Sequence, residues 1–490
     1  MCSSSRKEVF VMKFIRASQA LLPEGWVRDV IICIGKDGRI ASVEYNNSDA
    51  ASIAETTSQS TNNNSNRHTG FEREIAQQVS VLLPSPANVH SHAFQRAMAG
   101  LTERRGPDVS DSFWTWRRLM YAFLDQLTPD HIEAIAAFVQ MEMLEAGYAT
   151  NVEFHYLHHQ PGGAAYDKPA ELSDRIMAAA HKTGIGLTLL PVHYQYGGCD
   201  QRKLHDGQKR FGTDLDSYFR LWTEANASIP FLPDDTCIGV APHSLRAVAP
   251  SCFEELIDFA PDEPFHMHLA EQIPEVIEVQ DAWGARPVEW LLDNVDVDAR
   301  WCLIHCTQML SHETSGLARS GAVAGLCPIT ESSLGDGIFD GVDFLSASGR
   351  IAIGSDSNVR ISLSEELRTL DYSQRLRDHS RAALANASHS TGRRLFDAVV
   401  QGGAQAAGRH SGRIEVGQWA DLLALDGEHP DLEGRSGDTL LDTYIFAGDD
   451  RMVLDVWSAG RHCVTGGVHI ARESIVKRYR RVMKSLGERL

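Results

Sequence analysis

The chain lacks any apolar run approaching the ~18–20 residues that span a bilayer. Its start, Met1 to Val11, carries charge but no signal-type apolar core. A membrane segment and a secretory leader are therefore not expected, and the cytoplasm is the expected compartment. Cysteine is sparse: there are nine, scattered along the chain, with no dense short framework. That usage fits a reducing compartment. Cys302 and Cys306 stand four apart, unlike a zinc-knuckle pair, and read as strand and turn residues. Positive charge is also short. Lys and Arg number 46 against 65 Asp and Glu, a formal net charge of −19. Such a chain repels phosphate backbones and anionic membrane surfaces, which excludes general binding to nucleic acid or membrane. It would equally repel an anionic metabolite unless local arginines reverse the field.

What is present suffices for a large core. Of 490 residues, 43% are hydrophobic and 23% charged, which excludes wholesale disorder. The length accommodates one α/β barrel of ~250 residues or more plus a smaller domain. Eight β-rich runs recur: VSVLLPSPANVHSH (79–92), ATNVEFHY (149–156), GIGLTLLPVHY (184–194), CIGVAPHSL (237–245), PFHMHLAEQ (264–272), RWCLIHCT (300–307), AVAGLCPIT (322–330) and RIAIGSDSN (350–358). Helix-like stretches separate them, such as His131 to Gly147 with apolar residues at helical spacing and a Gly stop. That alternation is what a (β/α)8 TIM-like barrel needs. Strand texture also occupies Val27–Tyr45, Ile414–Asp426 and Met452–Ile470. Both chain ends are thus expected to build one small β-sandwich. The expected division is 1–80 and 406–472 for the sandwich, 81–405 for the barrel, and a basic surface helix over 473–490. Asn46 to Gly70, rich in Ser, Asn and Thr without periodicity, reads as a surface excursion within the sandwich.

Polar residues cluster where the apolar runs end. His90 and His92 close the first run; at i, i+2 on a strand, both imidazoles face one side and can reach one metal. The fifth run supplies His266 and His268, followed by Glu271. His243, His305 and Asp356 end the fourth, sixth and eighth runs. Taken singly, each is more readily a hydrogen-bonded core histidine or a capping aspartate. Together, five of eight strand ends carry His or Asp, at the barrel face where sites are built. Three histidines and one carboxylate suit Zn²⁺, with Fe²⁺ or Mn²⁺ as alternatives. Zinc lowers the pKa of its water to around 7, which points to hydrolysis.

NVHSH, HMHLAEQ, LIHCT and GSDSN resemble the amidohydrolase superfamily, specifically its mononuclear deaminase branch. Within it, NVHSHAFQRAMAGL, DSFWTWRRLMY, CPITESSLGDGIFD and GSDSN…EELRTLDYSQRLR are similar to the formimidoylglutamate deiminase family. The resemblance spans almost the whole chain, with IEVGQWADLLALD as the usual return strand. It implies that His90, His92, His268 and Asp356 bind zinc. It implies that Glu271, about one helical turn after His268, shuttles protons, and that His305 and Asp356 hold the attacking water. It places Gln95, Arg117, Tyr156, His243 and Arg246 on a small dianionic amidine, N-formimino-L-glutamate, and makes a homodimer the expected assembly. Arginine suits two carboxylates because its planar fork pairs both oxygens. On the residues alone, Arg117 would read as a solvated arginine stacked on Trp114 or Trp116. His266, His155, His158 and His159 read as packing or loop histidines. The long 46–70 stretch, Gln308 and Asn358 depart from the family pattern without touching proposed ligands.

Two rival readings compete. One is another deaminase of the superfamily, acting on a purine, triazine or guanidino compound, which would not need Arg117 and Arg246. The other is a non-catalytic barrel scaffold, expected to have lost ligands that are all present here.

Overall fold

The computed structural model describes residues 12–45, 77–101, 103, 120–121 and 123–488. The polar stretch 46–70 and Arg117, with Trp114 and Trp116 beside it, lie outside the described residues.

Four strands open the described chain: β1 (Lys13–Leu22), β2 (Gly25–Ile34), β3 (Ile40–Glu44) and β4 (Gln77–Pro84). The next nine form the central sheet: β5 (Ala87–Ser91), β6 (Thr150–His155), β7 (Gly186–His193), β8 (Cys237–Ile238), β9 (Ala241–Pro242), β10 (Phe265–Leu269), β11 (Trp301–His305), β12 (Val323–Leu326) and β13 (Arg350–Ile353). The last four are β14 (Leu422–Leu425), β15 (Val453–Ser458), β16 (Arg461–Thr465) and β17 (Val468–His469).

The central strands pair in parallel in the order β10-β11-β12-β13-β5-β6-β7-β8, with β9 beside β7. They read as near-continuous apolar runs because helices cover their outer face while their inner face fills the barrel. β5, β6, β7, β10 and β11 are buried at every position. Two isolated parallel bridges, Val240–Phe265 and Ser244–His268, join the β8–β9 edge to β10 and close the ring. This is the expected barrel, its fourth stave split into two short strands.

Strands from the two chain ends form one sheet, β17-β16-β15-β14-β4-β1-β2-β3. The two layers of the expected sandwich are therefore one continuous sheet. It curls until Arg39 bridges Trp419, and it encloses its own core of Ile15, Val30, Ile32, Leu82, Leu422 and Trp457. Strand texture predicted over Ile414–Asp426 condenses to Leu422–Leu425, because Gly417 takes a left-handed turn (φ 88°).

The first long helix among the described residues runs Pro129–Glu145, two residues earlier than its apolar period suggests. Thr128 caps it by accepting from His131 N, and Pro129 needs no donor there. The C-terminal helix, Arg472–Gly487, packs on it. Tyr479 stacks on Phe138 at 3.9 Å between ring centroids, and Arg478 pairs with Glu133. No described helix is long and apolar enough to cross a membrane.

Candidate metal centre and active site

The ends of β5 and β10 bring three imidazoles together. His90 and His268 approach to 3.0 Å between their Nε2 atoms, and one ligand nitrogen from each of His90, His92 and His268 lies within 4.8 Å of the others. All three are buried. Asp356 joins them from beyond β13. Its Oδ1 stands 3.3 Å from His92 Nε2 and 3.6 Å from His90 Nε2. Backbone bonds place it there: Asp356 N donates to His90 O, and His92 N donates to Asp356 O, both at 2.9 Å. The chain must turn sharply to allow this, and Asp356 is left-handed (φ 47°).

A buried polar network stiffens the same corner. Asn88 Nδ2 donates to Ser355 Oγ (2.6 Å), Ser355 Oγ to Asn358 Oδ1 (2.6 Å), and Asn358 Nδ2 to Ser91 Oγ (3.2 Å). Glu153 accepts from Ala93 N (2.7 Å) and from Asn151 Nδ2 (3.1 Å). Burial pushes the Glu153 carboxyl up to about 7, against the pull of those donors. Asn358 thus braces the site's framework. Neither it nor Glu153 carries a spacing signal in the sequence.

The donor set fits a divalent cation. His92 Nδ1 meets Phe154 O at 3.0 Å, and His268 Nδ1 meets His243 O at 3.1 Å. A carbonyl only accepts, so both Nδ1 atoms carry the proton and both Nε2 atoms present a lone pair inward. Burial, reinforced by the neighbouring imidazoles, drives His90 and His268 well below the ordinary histidine range, and burial takes His92 to about 3. The three rings are neutral at physiological pH, as ligation requires. Burial also raises Asp356 to about 7, partly offset by the His305 charge; a bound dication would oppose that rise.

His305 ends β11 and faces the same space, with Nε2 3.8 Å from Asp356 Oδ2 and 3.9 Å from Glu271 Oε1. Burial alone would lower its pKa. The carboxylates of Glu271, Glu331 and Asp356 outweigh that and hold it at about 10. Glu271 does not sit on a helical turn, contrary to expectation. β10 stops at Leu269, Ala270 is left-handed (φ 50°), and the following helix begins only at Ile273. Glu275 shapes the bend by accepting from Ala270 N (3.2 Å) and Glu271 N (2.9 Å).

Gln95, Tyr156, His243 and Arg246 line one cavity with His92, His268, Glu271, His305 and Asp356. Gln95 Nε2 donates to Tyr156 Oη at 2.8 Å, and Tyr156 packs edge-on against His92. The His243 ring stacks on His268 at 4.9 Å between centroids. The buried Arg246 Nε has no hydrogen-bond partner among the described residues. Burial would lower its pKa, but Glu275 and Glu271 more than compensate and keep it cationic. Tyr194, Arg202 and Glu278 line the cavity too, unforeseen from sequence. Arg202 pairs with Glu278 at 2.9 Å. His266 turns away, its Nε2 2.7 Å from Ala406 O, and His158 and His159 bond to the carbonyls of Val192 and Gly212.

The amidohydrolase family model matches residues 81–463, most of the chain. The chain belongs to the amidohydrolase family. Residues 12–52 match the model described as formimidoylglutamate deiminase HutF, N-terminal domain. This amidohydrolase is 45% identical to formimidoylglutamate deiminase of Pseudomonas aeruginosa, over 97% of this chain and 100% of that protein. Among solved structures it resembles an amidohydrolase from Brucella melitensis, with TM-score 0.87 and 43% identity over 97% of this chain and 99% of that one. It shares the fold of an adenosine deaminase from Xanthomonas campestris, solved with zinc, with TM-score 0.77 and 21% identity over 98% and 99% of the two chains. Metal dependence is general in the amidohydrolase family, and the buried histidine triad is where this member would hold its ion.

Proposed function

We propose that the chain hydrolyses N-formimino-L-glutamate to N-formyl-L-glutamate and ammonia, a step of histidine degradation. The observation that carries this reading is Arg246: a guanidinium whose buried Nε has no partner among the described residues, in the same cavity as His92, His268 and Asp356. An acidic protein that keeps a buried guanidinium N–H open beside a hydrolytic centre is built for an anionic substrate. Full-length similarity to the Pseudomonas deiminase supports the same substrate.

His90, His92, His268 and Asp356 would hold one divalent ion, for which Zn²⁺ is our choice on nitrogen and oxygen donors alone. When bound, that ion supplies a Lewis acid and a water acidified toward neutral pH. Asp356 takes a proton from the attacking water as its oxygen bonds to the amidine carbon. Glu271 carries a proton to the amidine nitrogen that leaves as ammonia, since an unprotonated nitrogen is a poor leaving group. His305, held cationic, donates through Nε2 toward the charge that develops. Arg246, with Arg117, binds the carboxylates, while Gln95, Tyr156 and His243 orient the amidine. We assign these roles to the barrel segment 81–405, with the end-built sheet and the helix at 473–490 as support. A homodimer in the cytoplasm completes the proposal; the eight described cysteines form no disulfide among themselves, which suits a reducing compartment.

Product identification tests the reading. Purified enzyme should release ammonia and N-formylglutamate. Glutamate plus formamide, or much faster turnover of guanine or adenosine, would displace it. Dialysis against a chelator should abolish turnover, and Zn²⁺ should restore it; restoration by Fe²⁺ or Mn²⁺ alone would change the metal.

A further inference from the structure

The segment CPITESSLGDGIF is specific in sequence, yet none of its side chains has a part in the chemistry above. Its helix, Pro328–Leu334, follows β12 and begins at Cys327. Glu331 sits on this helix, 5% exposed, behind His305 and away from the cavity. Glu331 Oε1 lies 3.2 Å from His305 Nδ1 and also accepts from Cys327 N at 2.8 Å. The helix is closed by Gly335 (φ 72°), and Asp336 N donates back to Glu331 O at 3.0 Å. Glu331 is therefore held at both ends of its own helix before it meets His305.

His305 needs such a tether. Its backbone is left-handed (φ 72°), outside the strand geometry that directs other barrel side chains inward. On the cavity side its Nε2 stands 3.9 Å from Glu271 and 3.8 Å from Asp356, too far for a hydrogen bond to either. Among the described residues, no hydrogen bond on that side selects one ring orientation. A carboxylate oxygen can only accept from Nδ1, so the contact with Glu331 puts Nδ1 outward and Nε2 toward the reacting centre.

We propose that Glu331 is the positioning residue of His305, acting through one oxygen that Cys327 N fixes in place. The alternative use of the same atoms is a second cation site, since donors of His305, Cys327 and Glu331 lie within 4.8 Å of one another. Burial and the charges of Asp356 and Glu331 keep the Cys327 thiol protonated, which disfavours it as a ligand.

The experiment rests on the deiminase reading for its substrate and compares Glu331→Gln with Glu331→Met. Glutamine keeps an accepting oxygen, and the Cys327 N–H selects that end of the amide, so kcat should stay within about 5-fold of the parent. Methionine keeps the volume without an acceptor. Its kcat should fall about 10- to 100-fold, the usual cost of losing an outer partner of a site histidine. Because Glu331 touches neither the cavity nor the ligand set, KM should move less than about 2-fold, and metal content should remain one per chain in both variants. Parental kcat in Glu331→Met, or equal loss in both variants, overturns the proposal. So does a second equivalent of metal in the parent that Glu331→Met lacks. If the parent itself ignores formiminoglutamate, the deiminase reading fails separately, and the same ratio is then measured on the amidine or aminopurine it does hydrolyse.

Discussion

Two buried charge clusters sit at opposite ends of the barrel strands, and they are finished to different degrees. At the N-terminal end, Arg409 binds Asp421 through Nε (2.6 Å) and Nη2 (3.0 Å), and binds Asp235 through Nη2 (2.8 Å) and the Asp235 carbonyl through Nη1 (2.6 Å). Arg461 adds two more bonds to Asp235, at 2.7 and 2.6 Å, and Ala459 N donates to Asp421 at 2.7 Å. This cluster ties the barrel to the end-built sheet. At the C-terminal end, Arg246 Nε, His90 Nδ1 and one oxygen of Asp336 lack partners among the described residues, and His305 Nε2 stands beyond bonding distance of both carboxylates it faces. Buried polar groups are ordinarily satisfied. Where the fold spends its charges on holding itself together, every guanidinium nitrogen of Arg409 is bonded. Where it keeps them for a ligand, donors and lone pairs stay open.

The sharpest way to break this contrast is at Glu271. Glu271→Gln should lower kcat by about 10² to 10⁴, the range for a lost general acid or base, with an unchanged melting temperature. A large fall in melting temperature would mean that the open cluster is structural after all. Arg409→Met should do the reverse. It leaves the buried Asp421 without its cation and Asp235 with Arg461 alone, and should cost about 3–5 kcal/mol of unfolding free energy in a urea titration, while kcat per folded molecule is preserved. Arg246→Met should raise KM about 10- to 100-fold, the worth of one or two charge-assisted hydrogen bonds to a carboxylate. Its melting temperature should move far less than that of Arg409→Met, and equal shifts would erase the distinction.

The smallest expected effect is in pH. Burial would raise the Asp235 carboxyl, but Arg461 and Arg409 hold it below the usual carboxylate range. In the window between that lowered value and the ordinary ~4, the unfolded chain binds more protons than the folded one, so stability there rises with pH. The contribution is fully present above about pH 5 and is lost as pH falls through the folded value. The stability gap between parent and Asp235→Asn should therefore be constant at neutral pH and narrow below about pH 4, read by urea unfolding at several pH values. A gap that widens in acid would reverse the assignment.

Legibility from sequence followed periodicity. His90 and His92 stand out because a two-residue period puts both on one strand face, and eight apolar runs announce eight staves. Glu331, Glu275 and Glu153 went unseen because each acts on a backbone or ring brought near by the fold, with no repeat to mark it. The Asp235–Arg409–Arg461 cluster joins residues 174 and 226 positions apart, which no local pattern reveals. Glu271 stands just past a strand-like run in the sequence, but its local structure is not legible there: the left-handed bend at Ala270 follows from Glu275 capping, and Ala has no intrinsic preference for it. The end-built β domain is legible too, but strand texture cannot tell two separate layers from one sheet that folds over.

The barrel's closing seam has a consequence of its own. Seven of its joints are ladders of paired strands, but the eighth is stitched by isolated bridges, and its last stitch falls on the carbonyl of His243. That oxygen accepts from His268 twice, through the backbone N and through ring Nδ1, both at 3.1 Å. The same atom zips the hoop shut and dictates which imidazole nitrogen looks inward. Parting the stave there unclasps a metal-type donor in the same movement, so the integrity of the hoop and the readiness of the ion's seat are one variable.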